Sequence, residues 1–311
     1  MTKQAFLLMP IPQELQNFYT KSKHLFGKVF LTYFDIDLED IMDTQLHNDF
    51  SVQVVTPPVI NQWPDLLSRL DPIDLADMDA VALLNRTDTK YVLTARQLYQ
   101  ALATLSAQYW VLDVDGVRLN HYRTLYFDTA DFNLYMRHHA GGRNRYKVRS
   151  REYVDTSLSF LEVKHNVDER TIKNRLQTPA FVTRFTPKTS HFVSAYTPLD
   201  PRRLEPKLIN GFSRITLVSK YHKERLTLDL NLHFFNDTNH VVLPDIAIAE
   251  VKQEGINRHS DFVKAMRQMH IRPTGFSKYC IGVSMLYPHI KHNNFKPNLR
   301  LINKLMVGLS F

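Results

Sequence analysis

Arg145-Tyr146-Lys147-Val148-Arg149-Ser150-Arg151 is the stretch on which the reading of this chain turns. On a strand, residues two apart share a face. Arg145, Lys147, Arg149 and Arg151 therefore stand on one side, and Tyr146, Val148 and Ser150 on the other. A half-buried sheet ordinarily hides an apolar face and shows water a mixed polar one. A face made only of cations is not mixed, and it needs a reason.

The same phase recurs along the chain. Phe160–Lys164 pairs Glu162 with Lys164 and turns Leu161 and Val163 away. Arg225–Asn231 sets Arg225, Thr227, Asp229 and Asn231 against Leu226, Leu228 and Leu230. Ile248–Lys252 repeats the pair as Glu250 and Lys252, and Arg86–Lys90 carries Arg86, Asp88 and Lys90 on one face. With Arg214, the cations of these faces far outnumber Asp88, Glu162, Asp229 and Glu250. Like charges directly across a sheet repel. One such strand is most simply a solvated surface strand. Five of them, each with an apolar opposite face, require that both faces be satisfied. A closed antiparallel sheet, apolar outside beneath helices and charged inside, does this and leaves no edge. Its interior charges then need water, metal or a polyanion to compensate them.

Working outward, Trp63 to Leu84 has helical spacing, and Pro72 is expected to divide it into two short helices. Helical stretches are also expected near 94–107, 188–196 and 258–269, the last capped by Asn257 or Ser260. Residues 1–60 carry no clear period up to Pro57-Pro58 and read as a loosely attached or poorly ordered extension. The main domain spans 61–290. The tail, 291–311, reads as a short helix or a tether.

The 311 residues, 44% hydrophobic and 23% charged, can bury a sizeable core without staples. A single cysteine, Cys280, excludes an intrachain disulfide and fits a reducing compartment. No apolar run approaches the length of a membrane span, and Ala5–Ile11 is too short for a convincing signal peptide, so a cytoplasmic setting is expected. A formal net charge of +8 points to an anionic partner without choosing among nucleic acid, acidic membrane and phosphorylated small molecules. The cation-rich strands lack the exposed aromatic platform that single-strand nucleic-acid readers use, which argues against nucleic acid.

In order along the chain, eight short strings now matter: RTDTKYVL (86–93), LYFDT (125–129), RYKVRSREY (145–153), FLEVKH (160–165), SRITLVSK (213–220), ERLTLDLNL (224–232), IAEVKQE (248–254) and FSKYC (276–280). Each alone is weak. Together, at this spacing, they resemble the VTC domain, the polyphosphate polymerase branch of the CYTH-like triphosphate tunnel metalloenzymes, over roughly residues 80–285. The resemblance implies an α+β fold, a closed eight-stranded antiparallel β-tunnel with helices packed outside. It also implies elongation of inorganic polyphosphate from the γ-phosphate of ATP, with a divalent metal, Mn²⁺ or Mg²⁺.

By motif, the resemblance places Lys90, Lys147, Arg149, Lys164, Arg214, Arg225 and Lys278 on the reacting phosphates. It places Arg86, Arg145, Arg151, Lys252 and Ser277 along the bound polyanion, and Glu250 with Glu162 at the metal. Lys173 and Arg175 have a suitable phase. Tunnel triphosphatases usually open with Glu-x-Glu-x-Lys, where this chain has Arg86-x-Asp88-x-Lys90. Exchange of a carboxylate for a cation favours gripping a long polyanion over activating water. The expected partners are therefore ATP and polyphosphate, with any membrane passage left to a separate partner. A tunnel triphosphatase and a non-catalytic polyphosphate sensor are the alternatives.

Phosphoryl transfer rests mostly on alignment and charge neutralisation. The absence of a persuasive Ser-His-Asp or Cys-His set is consistent with that. His138-His139 beside Gly141-Gly142 reads as a loop without zinc spacing. Asn231, His233 and Asp237 read as the end of a strand, and Cys280 as core on an apolar helix.

Overall fold

The computed structural model describes residues 62–80, 87–168, 170–255, 257 and 259–307. Arg86 and the extension before residue 61 lie outside the described residues. In chain order the first elements are α1 (Trp63–Ser68), β1 (Asp71–Ile73), α2 (Leu75–Ala80), β2 (Thr87–Thr94), α3 (Ala95–Leu105), β3 (Tyr109–Leu112), β4 (Asn120–Thr129), α4 (Asn133–His139), β5 (Asn144–Tyr153) and β6 (Leu158–Val167). They are followed by β7 (Arg170–Thr178), α5 (Pro187–Tyr196), β8 (Leu204–Ser219), β9 (Glu224–Phe235), β10 (His240–Leu243), β11 (Ile246–Gln253), α6 (Asp261–Gln268), α7 (Lys278–Leu286) and α8 (Lys296–Met306).

The expected helices form where local chemistry starts them. Thr94 and Gln97 make a reciprocal capping box at α3, Thr186 and Thr189 do the same at α5, and Ser260 caps α6. Each such cap is worth about 1 kcal/mol. Pro72 does separate two helices, but it sits between them in β1, pairing in parallel with β3 at the sheet margin, where the missing N–H is tolerated. His138 and His139 are in the last turn of α4, not in a loop. The tail is helical: α8 packs against the domain and buries Ile302.

Eight strands pair in the order β2-β11-β9-β8-β4-β5-β6-β7, each antiparallel to its neighbours. The sheet is a curled half-barrel. Among the described residues β2 and β7 do not pair with each other, so the ring expected from the sequence is not closed by backbone hydrogen bonds. Both end strands carry charge, Asp88 and Lys90 on one and Arg170, Lys173 and Arg175 on the other, which discourages pairing at an edge.

The convex face is apolar, as the alternation requires. Val148, Leu161 and Val163 pack with Phe192 and Val193 of α5. Leu98 and Leu102 of α3 and Phe262 and Met266 of α6 are buried, and Tyr91 of β2 meets Phe262 edge-on. The concave face is not uniformly charged. At one end α7 lies in the hollow, and Tyr279, Cys280 and Val283 join Tyr122, Tyr126, Phe212, Leu232 and Phe234 in a buried cluster. Gly282 permits this approach. A Cβ there would fall 2.7 Å from Phe234 and 3.0 Å from Leu208.

A β-bulge divides the two halves. Asp229 pairs with Arg214 and Phe234 with Asn210, so β9 gains one residue between them, and Asn231 takes the left-handed conformation with φ 53°. The extra residue flips the side-chain alternation. Before the bulge Arg225, Thr227 and Asp229 face inward. After it Leu232 and Phe234 do.

Candidate functional site

The charged half of the hollow has two walls. On the first, β5, β6 and β7 lie in register so that Lys147 faces Lys164 and Lys164 faces Lys173. The row beside it reads Arg149, Glu162, Arg175. Like charges at cross-strand spacing, roughly 5 Å, repel by about 3 kcal/mol at an effective dielectric near 20. A row of three lysines is therefore a costly arrangement for the free protein. Lys147 donates to Ser277 Oγ at 2.9 Å, and Lys173 pairs with Glu162. Among the described residues, Lys164 has no carboxylate in ion-pair range. Arg149 above all, then burial, pushes the Lys164 ammonium well below the ordinary lysine range. Burial, with Lys90 and Arg149 adding, lowers Lys147 to about 8, and burial lowers Lys173 to about 8 against the pull of Glu162.

Glu162 is fully buried and clasped. Arg149 Nε donates to it at 2.7 Å, and Lys173 holds its other oxygen. Burial opposes its ionisation, but the flanking cations outweigh burial and hold the carboxyl far below its usual range.

The second wall alternates in sign. Lys90 faces Glu250, which faces Thr227, and Lys90 Nζ lies 3.3 Å from Glu250 Oε1. Lys252 bonds the other Glu250 oxygen and donates to Thr227 Oγ1 at 3.1 Å. Asp88, Lys252 and Arg225 form the next row. Burial works against Glu250, yet Lys252 and Lys90 keep it ionised well below the usual carboxylate range.

Between the walls, Asp229 receives Arg214 in a fork at 2.6 and 2.8 Å and also pairs with Lys278. Lys278 opens α7 immediately after its cap Ser277, so one short stretch supplies both a cation and the hydroxyl that meets Lys147. The curl brings the walls together: Lys164 and Glu250, five places apart in strand order, each respond to the other's charge. His138 closes this grouping. It is held neutral, at about 3, by burial and by Lys147, Arg145 and Lys90.

The structure thus brings Lys90, Lys147, Arg149, Arg151, Lys164, Arg214, Lys252, Ser277, Lys278, Glu162 and Glu250 into one hollow. Arg225 shares the same face, and Arg145 on that face bonds Asn166 at 2.9 Å. Sequence reasoning did not single out Asp229 as the counter-ion of Arg214 and Lys278, although its phase on ERLTLDLNL was visible. It also passed over Tyr122 and Phe212, which no charge pattern marks.

A divalent metal can be tested against these donors. Among the described residues no three His, Cys, Asp or Glu side chains converge as a cage. Glu250, with Asp88 in the neighbouring row, fits the mode in which one or two carboxylates hold Mg²⁺ or Mn²⁺ and substrate phosphates complete the shell. Glu162 fits it poorly: cations flank both carboxylates, but Glu162 has no exposure at all, whereas the Glu250 side chain keeps 20%.

A family model described as the VTC domain matches residues 85–287, more than half of the chain. The chain belongs to the VTC domain family. Comparison with curated proteins returns no match. Among solved structures, a candidate adenylate cyclase from Bacillus halodurans is 13% identical with a TM-score of 0.42, over 65% of this chain and 97% of that one. A candidate adenylyl cyclase from Hippeastrum, described as having a dominant triphosphatase activity, is 15% identical with a TM-score of 0.42, over 64% and 95%. At these scores nothing about the VTC domain's activity here rests on the likeness. Within this VTC domain the LYFDT motif is structural. Buried Asp128 accepts the backbone N–H groups of Thr129, Leu134 and Tyr135 and the Tyr279 hydroxyl, tying β4 to α4 and α7.

Proposed function

We propose that this VTC domain is a cytoplasmic, ATP-dependent polyphosphate polymerase. The observation that supports it best is the row Lys147–Lys164–Lys173. A self-repelling row in a hollow is relieved by a ligand with regularly spaced negative charge, and a linear phosphate chain is such a ligand. Arg149, Arg151 and Arg214 offer planar forks for non-bridging oxygens, while the lysines supply compact charge.

The terminal oxygen of the growing chain attacks the γ-phosphorus of ATP. One P–O bond forms, the β–γ bridging P–O bond breaks, and the electron pair leaves on ADP. That oxygen is already anionic, so no general base is needed. The protein's part is to hold the donor and acceptor phosphates in line and to neutralise charge on the transferring group. Lys90 and Lys252 keep Glu250 ionised, and Glu250 would hold a Mn²⁺ or Mg²⁺ ion, which when bound neutralises phosphate oxygens. Among the described residues no helix is long and apolar enough to cross a membrane.

The test is to incubate the purified chain with ATP and Mn²⁺ and resolve the products. Long-chain polyphosphate with ADP is expected. Free phosphate without polymer would overturn the polymerase in favour of a triphosphatase. Tight polyphosphate binding without either product would favour a sensor.

A further inference from the structure

At the floor of the hollow, where the charged half meets the apolar half, two rings lie face to face. Tyr122 of β4 and Phe212 of β8 stack with centroids 5.1 Å apart and planes 5° from parallel. Three cations surround this pair. The Arg214 guanidinium is 5.1 Å from each centroid, Arg151 is 5.6 Å from Tyr122 and 5.8 Å from Phe212, and Lys278 Nζ is 4.4 Å from Phe212. All three cations are well shielded from water: Arg151 is 7% exposed, and the side chains of Arg214 and Lys278 are 16% and 13% exposed.

Among the described residues, Asp229 is the one carboxylate bonded to any of them; Arg151 has instead a hydrogen bond to Thr124 Oγ1 at 3.2 Å. Desolvated cations that are not matched by carboxylates are expensive. An aromatic face lowers that cost through its quadrupole, most effectively away from water, and adds no negative charge. A second carboxylate would also steady the cations, but it would neutralise them and repel a phosphate. The rings themselves are 8% and 2% exposed, so they do not present a surface on which a nucleobase could stack.

We infer that the Tyr122–Phe212 pair is a positioning platform. It holds Arg151, Arg214 and Lys278 in place while leaving them net positive for a linear condensed phosphate. This rests on the polyphosphate reading of the same hollow and adds to it the residues that keep the cations ready.

The experiment is equilibrium binding of tripolyphosphate to the full chain in EDTA, so that neither metal nor turnover enters, beside thermal unfolding of each ligand-free variant. Phe212→Met keeps volume and removes the ring. Tyr122→Leu removes the other ring, and Tyr122→Phe keeps it. Loss of either ring is expected to weaken binding by about tenfold per folded molecule, while Tyr122→Phe stays within about twofold of the parent. Ring-free variants that melt lower yet bind as tightly as the parent would show a merely structural role and overturn the platform alone. If Phe212→Met does not fold, Tyr122→Leu against Tyr122→Phe decides the matter in the same way. Failure of the unmutated chain to bind tripolyphosphate at low salt would remove the functional reading, and the platform with it.

Discussion

The two walls of the hollow are built from the same kinds of strand but are charged differently. On β5, β6 and β7 the inward residues include Arg145, Lys147, Arg149, Arg151, Lys164, Lys173 and Arg175 against Glu162 alone. On β2, β11 and β9, Lys90, Lys252 and Arg225 meet Asp88, Glu250 and Asp229. On the second wall carboxylates match the cations in number: Lys90 and Lys252 meet Glu250, while Asp229 is held by Arg214 and Lys278 from outside the wall. On the first wall they do not. A sheet that tolerates lysine directly opposite lysine, twice in one row, gives up stability for the sake of an anion. On the proposed function, this division would give the polyanion to the β5–β6–β7 wall and the reacting end to the β2–β11–β9 wall with Glu250.

The sharpest way to break this division is a pair of variants. Glu250→Gln is expected to lower turnover about a thousandfold and leave polyphosphate binding within a few-fold, because it removes the candidate metal carboxylate and leaves every lysine of the row in place. Lys164→Met should weaken polyphosphate binding and lower kcat/KM about a hundredfold. Turnover and binding assays on both variants read the split. Equal loss of both properties in each variant would mean that the walls do not divide the work.

A smaller effect separates the walls by pH. Lys147 and Lys173 are held at about 8, against an ordinary 10.5. Between about pH 8 and 10.5 the unfolded chain therefore holds protons on these lysines that the folded chain has shed, so stability of the ligand-free protein from this source rises with pH across that interval. Polyphosphate affinity falls over the same interval, because the ligand needs the charged form. Melting curves with and without polyphosphate at pH 7.5 and 9 should show ligand protection shrinking. Constant protection would place the polyanion elsewhere.

Much of this was legible in the sequence, and the reason is period. Strict alternation at 145–151 and 160–164 fixes which residues share a face, and the structure keeps that phase throughout the first wall. What stayed hidden depends on register and on faults in the period. That Lys147 falls opposite Lys164, and not opposite Glu162, is decided by where β5 and β6 turn. The bulge at Asn231 reverses the phase of β9, and so turns the late leucine Leu232 inward. Nothing in the leucine pattern announces it. Tyr122 and Phe212 were passed over because aromatic residues on a strand read as core, and their contact with three cations exists only once β4, β5, β8 and α7 converge. Arg86, on which the tilt from hydrolysis to polymerisation rested, lies outside the described residues, so that tilt remains a sequence argument.

The most direct measurement is a crystal structure of the whole chain with tripolyphosphate bound. Phosphate oxygens are expected within about 3 Å of the Lys147 and Lys164 ammonium groups, with the chain running along the β5–β6–β7 wall. Phosphates seated on the β2–β11–β9 wall, with the lysine row untouched, would contradict it.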